Sequence, residues 1–75
     1  MYDFEAEEII ASYSVGQDPF AMLPPETLVS IRPGLVPLQL LERICTRRDL
    51  RLVSAKEQQF EDGLELVYFV LTPAR

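Results

Sequence analysis

Ala6, Ile9, Ile10 and Tyr13 recur at the i, i+3, i+4 and i+7 spacing of a single helix face, while Glu5, Glu7 and Glu8 take the opposite side. That spacing predicts an amphipathic helix from about Phe4 to Tyr13, with Asp3 as its N-cap and the early glutamates matching its positive end. A period of two also fits this stretch, setting Ile9, Ala11, Tyr13 and Val15 along one side of a strand. The helix is favoured and the strand stays open.

From Val15 to Pro25 the pattern lapses. Asp18-Pro19 makes a good cap and first-turn pair, but Pro24 and Pro25 leave room for little more than one helical turn. Thr27 to Ile31 is a short β-rich run closed by Arg32, Pro33 and Gly34. Between Val36 and Arg48, Leu38, Leu41 and Cys45, joined by Leu40 and Ile44, form a wide apolar stripe; Pro37 fits a helix there because it falls in the first turn. Arg47 and Arg48 suit the negative end of that helix. Leu50 to Gln59 and Leu64 to Thr72 are then two extended runs around Glu61, Asp62 and Gly63, where Asp-Gly supplies the positive φ angles of a hairpin turn.

The order helix or strand, strand, helix, strand, strand implies an α+β fold: a two-layer sandwich, with a small mixed sheet, two helices on one face and a closing β-hairpin. Residues 1–75 are expected to form one domain, because a chain of this size has material for one core. The final run, Leu64 to Leu71, is apolar at both parities, although helices cover only one face of such a sheet. If Leu66, Tyr68 and Val70 face the helices, then Val67, Phe69 and Leu71 face away and form an apolar patch of the kind that marks an interface.

Charge sharpens this picture. The net charge is −5, which argues against binding a phosphate backbone, since that affinity comes from Lys and Arg displacing counterions. Yet Arg32, Arg43, Arg47, Arg48, Arg51 and Lys56 cluster in the middle of the chain, after a head that holds Asp3, Glu5, Glu7, Glu8, Asp18 and Glu26 and no base. The head and middle either dock on one another as solvated faces, or the middle forms a local basic patch for an acidic protein surface. Arg43, Arg47 and Arg48 on the second helix are the candidates for that patch. No apolar run is long enough to span a membrane, and the acidic start is unlike a signal peptide, so a cytoplasmic protein is expected.

Catalytic constellations are nearly absent. Without histidine, neither a Ser-His nor a Cys-His nucleophile pair can be built, and Gly16, Gly34 and Gly63 are all accounted for by turns. Glu5, Glu7 and Glu8 are spread around a helix, so no metal or other cofactor is expected. Cys45 is the one soft nucleophile; its arginine neighbours would favour a thiolate if it were exposed, but its place on the apolar stripe reads as core.

Pro25-Glu26-Thr27-Leu28-Val29-Ser30-Ile31, Val36-Pro37-Leu38, Ile44-Cys45-Thr46 and Leu52 to Glu57, with Gly16-Gln17-Asp18-Pro19-Phe20 upstream, resemble segments of the SirA/TusA-like family of small sulfur-carrier and regulatory domains and its uncharacterised relatives. The sulfur carriers in that family bear Cys-Pro-x-Pro at the head of their first helix. Here the matching position is Asp18, in Asp18-Pro19-Phe20-Ala21, and a carboxylate cannot form a persulfide. The resemblance, with that cysteine missing, points to a non-enzymatic interaction or regulatory module, whose partner is another protein or a second copy of the chain; the apolar parity of the last run and the arginines of the second helix put Val67, Phe69, Leu71, Arg43, Arg47 and Arg48 at its expected contact surface. Its alternative is a sulfur-relay role with Cys45 as a displaced carrier.

Overall fold

A computed structural model describes residues Tyr2–Ala74, in the order β1 (Tyr2–Glu5), α1 (Ala6–Ser14), β2 (Leu28–Arg32), α2 (Leu38–Arg47), β3 (Arg51–Phe60) and β4 (Gly63–Leu71). The strands form one mixed sheet in the order β1-β2-β4-β3. β1 runs parallel to β2, as a crossover through α1 requires, and the other two pairings are antiparallel. The architecture is the α+β arrangement that the hydrophobic pattern predicts.

The opening segment holds both of the structures that its periodicities allow. Tyr2 to Glu5 alternate as a half-buried strand, and the chain passes into α1 without a glycine or proline between. Glu5, not Asp3, is the N-cap, sharing a capping box with Glu8. Asp3 lies inside β1 and accepts a hydrogen bond from Ser30 Oγ of β2. Pro19 to Pro25 contain no helix, only turns.

α1 contributes Ala6 and Ile9, and α2 contributes Leu41 and Ile44, to a single core against Val29, Ile31 and Val70 of the sheet. Both helices therefore lie on one face. Phe20 joins this core from the loop after α1 and meets Phe4 edge to face, with ring centroids 5.3 Å apart. The far end of the loop is held by Thr72, whose hydroxyl accepts from Thr27 N–H at 2.8 Å and donates to the Pro24 carbonyl at 2.9 Å. α2 ends as Asp49 turns into the left-handed region, at φ 54°, so that Leu50 N–H can return to the Cys45 carbonyl. In the hairpin, Phe60 pairs with Gly63 across Glu61 and Asp62, and Gly63 alone takes the positive φ, of 122°.

Hairpin length positions everything that follows. β4 pairs with β2 only from Tyr68 to Leu71, but with β3 along its whole length. A ten-residue helix such as α2 is about 15 Å long, whereas a ten-residue strand such as β3 is about 33 Å long. The turn half of the hairpin thus runs out beyond both β2 and the helices.

Candidate functional site

Because the hairpin outruns its cover, the helix side of β3 and β4 is left partly bare. Leu64 and Leu66, in the projecting half, are 67% and 41% exposed, whereas Leu52, 58% exposed, lies at the other end of β3 opposite buried Val70, near half-exposed Leu38 at the head of α2. Beside them, Leu38, Leu41, Cys45, Leu50, Leu52 and Tyr68 line an apolar groove of about 390 Å³ between α2 and the sheet. β3 is also the outer strand, so one row of its backbone groups has no neighbouring strand. An uncovered apolar surface beside a free strand edge suits the docking of another chain.

On the opposite side, Val67, Phe69 and Leu71 do face away from the helices, in line with Ser30 and Arg32. The expected open patch is nevertheless reduced: Val67 is only 3% exposed, and Phe69 and Leu71 are half-buried. Arg32 ends β2 next to Val67, ion-pairs with Glu65 through Nε, reaches Asp62 at 3.2 Å and lays its guanidinium 3.7 Å from the centroid of Phe60. The Gly34 N–H also donates to Glu65, at 2.6 Å. The hydrogen bond to Glu65 raises the Arg32 pKa and keeps the guanidinium charged.

The three arginines of α2 divide. Arg43 and Arg47 are exposed beside Gln39, Glu42 and Thr46 on the outer surface of the helix. Arg48, also exposed, turns toward α1: its guanidinium lies 4.3 Å from the centroid of Tyr13 and 3.9 Å from Asp18 Oδ2. Tyr13 in turn donates to Asp18 Oδ1 at 3.3 Å. Arg48 thus links α2 to α1 while Arg43 and Arg47 point outward.

Asp18 does not head a helix. Its carboxylate accepts from Phe20 N–H at 2.9 Å and shapes a turn, while the head of the first helix is Glu5-Ala6. Cys45 is half-buried against the core, and burial followed by the charge of Glu42 pushes its thiol pKa up, away from the thiolate that its arginine neighbours would favour.

Among the described residues no group of His, Cys, Asp and Glu is placed to hold a metal ion, and no helix is long and apolar enough to cross a membrane. Comparison with family models, with curated proteins and with solved structures finds no match for this chain.

The uncovered leucines of the hairpin are the part of the site that the hydrophobic pattern missed. Leu66 reads as a core position by alternation alone. The signal that separates it from Tyr68 and Val70 is the mismatch between strand length and helix length.

Proposed function

We propose that this chain is a non-enzymatic interaction module of the SirA/TusA-like kind, working in the cytoplasm and docking a partner protein along the helix side of its hairpin. The observation that carries this reading is the exposure of Leu52, Leu64 and Leu66 beside an apolar groove and a free strand edge. Three large aliphatic side chains exposed along one side of a hairpin cost solvation in the free chain, and a bound partner removes that cost. Arg43 and Arg47 lie on the outer face of α2, where they would favour a partner with an acidic margin.

The test compares the chain with its Leu52→Lys, Leu66→Lys double variant, each immobilised and cross-linked in lysate of the native cell. Both residues are exposed, so the variant is expected to keep its circular dichroism spectrum while losing the protein that the parent chain captures. Equal capture by the two, or capture by neither, overturns the proposal.

A further inference from the structure

The sheet face turned away from the helices is divided by charge. Glu5 pairs with Arg32, which lies beside Val67, and Val67 pairs with Lys56; one level along, Asp3 pairs with Ser30, Ser30 with Phe69, and Phe69 with Ser54. The third level runs from Leu28 through Leu71 to Arg51. The β1 edge of this face thus presents Asp3 and Glu5, and the β3 edge presents Lys56 and Arg51, all four exposed. Between them, Arg32 is neutralised by Glu65, and Phe69 and Leu71 supply a half-buried apolar strip.

We infer that this face pairs with the same face of a second copy of the chain, about a two-fold axis that runs parallel to the strands between β2 and β4. Such an axis lays β1 of one copy over β3 of the other and leaves every residue at its own level. Glu5 then meets Lys56 of the second copy, Asp3 falls between its Lys56 and Arg51, and symmetry repeats both contacts. At the centre, Phe69 lies over Ser30. A two-fold perpendicular to the strands instead sets β1 on β1 and β3 on β3, opposing like charges along both edges. The charge pattern therefore selects one of the two face-to-face arrangements.

Size sets the strength. Four strands about 4.8 Å apart and five residues long give a contact of about 19 by 17 Å. That is well below the roughly 800 Å² per partner of a standard stable interface, so the dimer is weak and reversible. Each copy carries −5 overall, and the attraction must act at short range. At physiological ionic strength the Debye length of about 8 Å screens the repulsion between whole molecules more than it screens charges in contact. Association is accordingly strongest at moderate salt.

The proposal concerns the face opposite to the leucines of the hairpin, and one experiment separates the two. Amide shifts of the isotope-labelled full chain are followed as it is concentrated from about 0.02 to about 2 mM, the range in which a weak interface of this size would associate. Shifts confined to Asp3, Glu5, Ser30, Lys56 and Phe69 are expected. Shifts confined to Leu52, Leu64 and Leu66, or none at all, overturn the proposal, and only the first of these outcomes bears on the docking surface of the hairpin.

Charge exchange tests the geometry. Lys56→Glu and Glu5→Lys are each expected to weaken self-association about tenfold, and an equimolar mixture to restore it, because both contacts are then again between opposite charges. A mixture no stronger than its components overturns the stated axis. Since Glu5 caps α1, the dilution series on the parent chain stands independently of whether that variant folds.

Discussion

Arg32 lies over Phe60, its guanidinium carbon 3.7 Å from the ring centroid, and this contact joins the end of β2 to the turn of a hairpin that β2 does not otherwise reach. Glu65 and Asp62 hold the guanidinium from the hairpin side. The projecting half of the hairpin is thus held laterally by the Arg32 side chain, together with the Gly34 N–H that donates to Glu65.

If that support matters, Phe60→Leu should loosen the hairpin without touching the core. Amide exchange from Glu57 to Leu66 is expected to speed up several-fold, while Val29 and Val70, fully buried under the helices, keep the exchange rates of the parent chain. Uniform acceleration across the sheet would mean that the hairpin and the core open as one unit.

The hairpin was the most legible element, because two long β-rich runs flank Asp62-Gly63, and α2 was read correctly from its apolar stripe. β1 was not legible: four residues alternating Tyr2, Asp3, Phe4, Glu5 give too short a signal, and they merge into a helix whose period dominates the window. Phe20 escaped for a different reason. It reaches the core from a loop, and loops have no period to read. Val67 shows the limit of local pattern at the candidate site itself. Alternation places it on the correct face, but its burial, at 3% exposure, arises among neighbours from other strands, such as Lys56 opposite it on β3, which local pattern does not read.

Thr72 tests how the long loop is held. Replacing it with valine preserves its shape but removes the acceptor of Thr27 N–H and a donor to the Pro24 carbonyl at a site that is 5% exposed. A loss of about 1–3 kcal/mol is expected, the cost of leaving a buried polar group unpaired. Urea unfolding monitored by circular dichroism reads it directly; an unchanged midpoint would show that water replaces the hydroxyl.

Tyr13 gives a pH dependence with a definite sign. Burial, followed by the charge of Asp18, pushes its pKa from 10.0 up to about 12. Folding thus favours the protonated phenol, and this contribution to stability is complete below pH 10 and disappears as the pH rises toward 12. Thermal melts of the parent chain are expected to fall across that window more steeply than those of Tyr13→Phe. Parallel curves for the two proteins would remove the phenol as the cause.

Cys45 decides between docking and sulfur chemistry, because a carrier must present a nucleophilic thiolate. Burial raises its pKa, and Glu42 adds to the shift, so at pH 8 the folded chain should react with iodoacetamide more slowly than a free thiol of ordinary pKa, about 8.5. Unfolding in urea exposes the sulfur and should accelerate the reaction. Substituting Glu42→Gln removes the nearby charge but leaves burial in place, so a modest rise in rate is expected. A folded chain that reacts as fast as the unfolded one would put Cys45 at the surface and revive the relay role. Mass spectrometry after incubation with a cysteine desulfurase and cysteine would then be decisive, since a carrier gains one sulfur atom and a docking module gains none.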